Sequence, residues 1–152
     1  MSSFEIDYRT GTASARDVYE HLKNCSRDFE PPLEERVDLD EYSRKIVKRA
    51  VTFEAWDGSE LAGLIAAYFN DLDSRVGFIT SVSTATIYKG KGIATELMKK
   101  CLDHARRIDF VQIELQVDSN SLHALGLYIK FGFKSDSVDQ NTIFMKCDLN
   151  RY

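Results

Sequence analysis

No stretch of the chain approaches the roughly 20 consecutive apolar residues that a membrane-spanning helix requires. No basic-plus-apolar leader precedes Phe4 either, so a cytoplasmic protein with no membrane partner is expected. Cysteine is scarce: Cys25, Cys101 and Cys147 are widely spaced and form no Cys-x-x-Cys pair. That argues against a disulfide framework or a redox motif and suits a reducing compartment. His21, His104 and His123 offer no pair at metal-ligand spacing, and no metal is expected. Helical periodicity puts His21 and His104 on or beside polar faces and His123 in the first turn of a late helix. The two prolines are adjacent, and no repeat, low-complexity tract or block of like charge interrupts the chain. With 20 basic and 24 acidic residues the net charge is −4, which speaks against nucleic acid and for a cationic or amine partner. What is present, 43% apolar and 29% charged residues in 152, suits one globular domain over 1–152 with its own core.

The pattern of elements follows from periodicity. Phe4 to Arg9 alternates apolar with polar and reads as a half-buried strand. Val18, Leu22, Cys25 and Phe29 step by three and four after a Ser14/Asp17 cap signature, giving an amphipathic helix ended by Pro31-Pro32. Asp28 to Val37 reads as an acidic loop carrying Asp28, Glu30, Glu34 and Glu35. Asp38 and Glu41 then cap a second helix with Leu39, Tyr42, Ile46, Val47 and Ala50 on one stripe. Val51–Trp56, Leu61–Phe69 and Val76–Thr84 read as three antiparallel strands, the first two joined at Asp57-Gly58. A helix with Ile93, Leu97, Cys101 and Ala105 on one face leads to a strand from Phe110 to Val117, a connection expected to be a parallel crossover. A last helix from about Leu122 to Phe131 stops at Gly132, and a closing hairpin ends on a strand from Thr142 to Leu149. The fold class is α+β, a central mixed sheet of about seven strands flanked by about four helices.

The chain turns on Tyr88-Lys89-Gly90-Lys91-Gly92-Ile93-Ala94-Thr95, which joins a strand to a helix. Gly90 and Gly92 let the backbone turn tightly and approach a ligand, so successive amides can share one concavity. The helix that follows adds unpaired N–H groups and the positive end of its dipole, and Lys89 and Lys91 add charge; an anion belongs there. A Walker A loop would need Gly-x-x-x-x-Gly-Lys-Ser/Thr. The dinucleotide fingerprint would need a third small residue where Thr95 stands, with Asp109 too late for its ribose acid.

The segment resembles the pyrophosphate loop of the GNAT superfamily of N-acetyltransferases, Gln/Arg-x-x-Gly-x-Gly/Ala, read here as Lys89-Gly90-Lys91-Gly92-Ile93-Ala94 with Lys in place of Gln or Arg. Downstream, Ser121-Leu122-His123-Ala124 through Tyr128 to Gly132-Phe133 is similar to that superfamily's Asn-x-x-Ala-x-x-x-Tyr-x-x-x-Gly-Phe at matching spacing, with Ser121 in place of Asn. The strong resemblance covers Val82 to Phe133, and the other elements follow the superfamily's order. Ser caps helices well, so that helix is expected to form despite the change.

The resemblance implies acetyl-CoA as co-substrate. Lys89, Gly90, Lys91, Gly92, Ile93, Ala94 and Thr95 would hold its pyrophosphate, Val82, Ser83 and Thr84 would line the pantetheine arm, and Ser121 would lie near that arm. It also implies a general acid at Tyr128 and attack by the primary amine of a small molecule, in a protein that is a monomer or homodimer. A protein N-terminal or lysine acetyltransferase and a non-catalytic acyl-CoA-binding module are the alternatives. Ser81, Glu54 and Glu114 lie on strands near the expected cleft, but register is open and no base is assigned. Tyr68 and Asn70 are placed where they can line an acceptor pocket.

Overall fold

The computed structural model describes residues 5–29 and 32–149. Phe4, Glu30 and Pro31, part of the expected first strand, acidic loop and helix stop, lie outside the described residues. The elements run β1 (Ile6–Thr10), α1 (Ala15–Cys25), α2 (Leu33–Arg36), α3 (Leu39–Arg49), β2 (Val51–Asp57), β3 (Glu60–Tyr68), β4 (Val76–Thr84), α4 (Ile93–Arg107), β5 (Gln112–Asp118), α5 (Leu122–Lys130), β6 (Lys134–Asp139) and β7 (Thr142–Asp148). The linker read as a plain loop contains the four-residue α2. Phe29 falls beyond α1, which passes into a short 3-10 turn at Ser26–Asp28.

Local chemistry sets the helix starts. Ser14 accepts from the Asp17 amide at 3.1 Å while Asp17 accepts from the Ser14 amide at 2.9 Å, a reciprocal capping box. Asp38 accepts from the Glu41 amide at 3.1 Å and opens α3. The expected helix forms as α5 with Ser121 at its N-cap, though the Ser121 side chain makes no cap hydrogen bond and its carbonyl accepts from the Leu125 amide.

Seven strands form one sheet in the order β1-β2-β3-β4-β5-β7-β6. The β4–β5 pair is parallel, and the other neighbouring pairs are antiparallel. Alternation along β3 sorts the core into two layers. Ile65 and Ala67 join a cluster with Leu97, Met98 and Cys101 of α4 and Tyr128 of α5, while Leu64 and Ala66 join one with Val18 and Leu22 of α1 and Ile46 of α3. α4 approaches so closely that a Cβ on Gly63 would stand 2.6 Å from the Ile93 side chain. Gly63 thus seats the first turn of α4, and with it the loop that precedes it, against the sheet.

Candidate active site

The parallel ladder between β4 and β5 is short. Val76 faces Gln112, Gly77 faces Ile113 and Phe78 faces Glu114, and there it ends, although β4 continues to Thr84 and β5 to Asp118. The cause lies on the other edge of β4. Opposite Ala66 and Ala67 of β3 stand Ser81 and Ile79, so Thr80 is an extra residue, a bulge that bends β4 away from β5. Ala85 donates to Ala62 at 2.9 Å. By alternation Ser83 and Ser81 turn their peptide groups toward β3, and those of Val82 and Thr84 face the opened edge.

Of the three strand residues expected to line a pantetheine arm, Val82 and Thr84 therefore present backbone to the gap. Ser83 is turned inward, and its hydroxyl lies 2.9 Å from Nε2 of His21. His21 is a correction to the sequence reading: it is 3% exposed, not on a polar face. Its Nδ1 lies 2.9 Å from the Leu61 carbonyl, which can only accept, so Nδ1 carries the proton and Nε2 accepts from Ser83. Burial, against these hydrogen bonds, brings its pKa down from 6.5 to about 4. His104 is half-buried, 5.5 Å from the Phe53 ring and 5.2 Å from Phe69, and burial and Arg107 lower its pKa.

The glycine loop leaves β4 through a 3-10 turn, Thr86–Tyr88. Tyr88 is 1% exposed and donates to Asp57 at 2.7 Å and lies 3.2 Å from Glu60, pinning the turn to the β2–β3 hairpin. Burial first, then those carboxylates, push its pKa up. Gly90 and Gly92 sit at φ +78° and +79°, and Gly92, the N-cap of α4, makes no side-chain cap hydrogen bond. The first amides of α4, from Ile93 through Thr95, thus open onto an exposed loop. Lys89 carries a positive charge there, and its Nζ is 2.8 Å from Asp28 at the end of the turn after α1. No local signal in the sequence marks Tyr88 and Asp28 as loop anchors, because both contacts cross long separations.

Tyr128 lies on α5 and is 6% exposed, its ring 5.8 Å from that of Phe133. Val82 packs against the same core cluster. Burial pushes the Tyr128 phenol up to about 12, so it carries its proton at neutral pH.

The three candidate bases separate clearly. Glu54 is fully buried, and its carboxylate accepts from the Thr12 and Ala13 amides at 2.9 and 3.0 Å, from Trp56 Nε1 at 2.9 Å and from the Thr12 and Thr52 hydroxyls. Burial alone would raise its pKa, but the hydrogen bonds from Thr12, Thr52, Trp56 and Ala13 outweigh burial and lower it. It is a structural anion. Ser81 is buried, and its hydroxyl has no hydrogen-bond partner among the described residues. Glu114 is exposed at the last rung of the β4–β5 ladder and, with Phe78, Gln116, Asp136, Phe144 and Lys146, lines a cavity of about 140 Å³. The Asn70 side-chain amide donates to the Arg49 carbonyl at the end of α3, 3.1 Å away. A wider concavity of about 470 Å³, lined by Phe53, Lys100, His104 and Arg107 among others, flanks the C-terminal half of α4 and shares no residue with the loop or the gap.

Residues 15–133 match the acetyltransferase (GNAT) family. Over 150 residues the chain is 29% identical to YsnE, an uncharacterized N-acetyltransferase of Bacillus subtilis (strain 168), covering 93% of this chain and 95% of that one. Among solved structures, PaiA N-acetyltransferase from Thermoplasma acidophilum, in complex with coenzyme A, aligns with a TM-score of 0.76 at 17% identity, over 95% of this chain and 99% of that one. PH1933 from Pyrococcus horikoshii OT3 aligns with a TM-score of 0.73 at 24% identity, over 95% and 98%. At these identities the structures share the fold.

Proposed function

The chain belongs to the acetyltransferase (GNAT) family, and from that premise we propose that it transfers the acetyl group of acetyl-CoA to the primary amine of a small molecule by direct attack. The observation that carries this reading is the parting of β4 from β5 at Phe78 and Glu114, directly upstream of a glycine loop that caps α4. The gap leaves the peptide groups of Val82 and Thr84 to pair with the pantetheine amides and to polarise the thioester carbonyl. Lys89 to Thr95, with the N-terminus of α4, takes the pyrophosphate.

In the reaction a neutral amine nitrogen attacks the carbonyl carbon, the C–S bond breaks as the C–N bond forms, and the proton lost from nitrogen balances the one gained by the CoA thiolate. Tyr128, protonated at neutral pH, supplies the proton to sulfur. The acceptor enters from the face opposite α4. There the cavity of about 140 Å³ is of a size for a small amine. Asp136 in it is paired with Lys146 at 3.0 Å, whereas Glu114, in the same cavity as Phe78 and Phe144, accepts from the neutral Gln112 side-chain amide at 3.0 Å and keeps its charge to attract an ammonium group.

Free-thiol release from acetyl-CoA, measured across amino alcohols, amino sugars, amino acids, polyamines and peptides with a free N-terminus, tests the reading. Turnover with small amines supports it. Turnover with peptides alone would transfer the assignment to protein substrates, and binding of acetyl-CoA without turnover on any amine would leave a non-catalytic module.

A further inference from the structure

The bulge that opens the cleft also leaves a set of hydroxyl groups with an uneven hydrogen-bond account. Thr80 has no partner on β3, and its carbonyl accepts instead from the Tyr42 hydroxyl of α3 at 2.8 Å. Tyr42 Oη also lies 2.8 Å from Thr80 Oγ1. A phenol has one hydrogen, and the carbonyl takes it, so Thr80 Oγ1 must be the donor in the second contact. Tyr42 Oη is left with accepting capacity alone.

Two further hydroxyls on this part of the sheet lack a hydrogen bond among the described residues. Tyr68 Oη and Ser81 Oγ are buried with no hydrogen-bond partner among the described residues, and Ser81 is only 4% exposed. Ser81 stands opposite Ala66, and Tyr68 lies two residues further along β3 on the same face, opposite Phe78. Phe78 in turn pairs with Glu114 and lines the 140 Å³ cavity, so this hydroxyl group cluster adjoins the acceptor side of the divergence. A buried polar group left unpaired gives up its hydrogen bonds to water and destabilises the folded protein. Two of them on one face of the β3–β4 pair, with a third hydroxyl that can only accept on the helix packed over that face, suit a site whose hydrogen bonds are completed by a guest.

We propose that Tyr42 Oη accepts a hydrogen bond from the amino group of the acetyl acceptor, and that Tyr68 and Ser81 bind a second polar group on that acceptor. The inference rests on the reading of the protein as a small-molecule amine acetyltransferase and names the acceptor class: a primary amine with a hydroxyl or similar group close to it. An N–H donated to Tyr42 leaves the nitrogen lone pair to point elsewhere, which attack on the thioester requires. Burial raises the pKa of both tyrosines, so each remains a neutral phenol.

The test compares ethanolamine and n-propylamine, near-isosteres that differ by a hydroxyl, within a wider amine panel. Wild-type protein favours ethanolamine. Tyr42→Phe keeps the ring and lowers kcat/KM for every active amine by about 10-fold or more, with acetyl-CoA affinity unchanged. Tyr68→Phe removes a hydroxyl that makes no bond, so its melting temperature equals or exceeds that of the wild type while the preference for ethanolamine collapses; a merely structural tyrosine would not alter that ratio. Wild-type kinetics in a folded Tyr42→Phe protein, or an unchanged ratio in Tyr68→Phe, overturns the inference and leaves the enzyme assignment standing. A wild-type protein silent on all amines overturns both.

Discussion

At the scale of single residues, burial and hydrogen-bond donors together decide which ionisable groups are charged inside the protein. Glu54 stays charged inside the protein because five donors meet its two oxygens, so its charge is spent on tying the Thr12–Ala13 segment and Trp56 to β2. Tyr128 is the reverse case: burial keeps it neutral and leaves it a proton to give. Tyr128→Phe retains the ring against Phe133 and removes the hydroxyl. Folding and acetyl-CoA affinity should change little while the single-turnover rate of acetyl transfer falls by about 10²-fold or more. Single-turnover measurement at saturating acetyl-CoA avoids masking by product release. A wild-type chemical rate would make Tyr128 a packing residue. Neither His21 nor Tyr42 stands out in the sequence, because what distinguishes them is a partner 62 or 38 residues away, and helical periodicity alone puts a histidine outside and a tyrosine on an apolar stripe.

Among the elements, the β4–loop–α4 unit was the most legible. Its glycines, its β-branched strand and its apolar helix face are local signals, and the positive φ at Gly90 and Gly92 bears out the turn that the spacing implies. What local signals could not carry is the bulge at Thr80, since register belongs to two strands at once, and the latch between Lys89 and Asp28. Gly92→Asp places a side chain at φ +79° and a carboxylate at the helix N-terminus. The rise in melting temperature produced by acetyl-CoA should largely vanish in that variant, and a folded variant stabilised as much as wild type would remove the loop from the phosphate site. If Lys89 meets a phosphate as proposed, Asp28, 2.8 Å from its Nζ, competes for it. Asp28→Asn is therefore expected to tighten acetyl-CoA binding by a few-fold in low salt, with the difference shrinking at high salt. Calorimetric titration at two ionic strengths measures this, and equal affinities in both proteins would show that the latch does not oppose binding.

For the whole molecule, the turns joining β2, β3 and β4 and the closing hairpin mark those pairings in the sequence and the length of the α4 crossover marks the parallel step, whereas β1 beside β2 and β5 beside β7 join strands with no local signal between them. β6 is exposed at every position, which is why the first strand of the closing hairpin had no apolar alternation to mark it. The two-layer core has a consequence for stability against pH, through the imidazole of His21 that joins α1 to Leu61 and Ser83. Its folded pKa is lowered from 6.5 to about 4. Between those values the unfolded chain binds a proton that the folded protein does not, so the unfolding free energy rises with pH and is lost as pH falls. The full span corresponds to about 3 kcal/mol. Glu54, whose pKa is also lowered, adds a further loss as its carboxylate is protonated at more acidic pH. Urea denaturation at a series of pH values should therefore show wild-type stability declining from pH 6.5 toward pH 4. His21→Gln should be less stable at pH 7 and should lack that part of the slope, so that the two curves converge as pH falls. Parallel curves would mean that His21 takes up its proton in the folded state, and that the bridge to Ser83 does not hold the imidazole neutral.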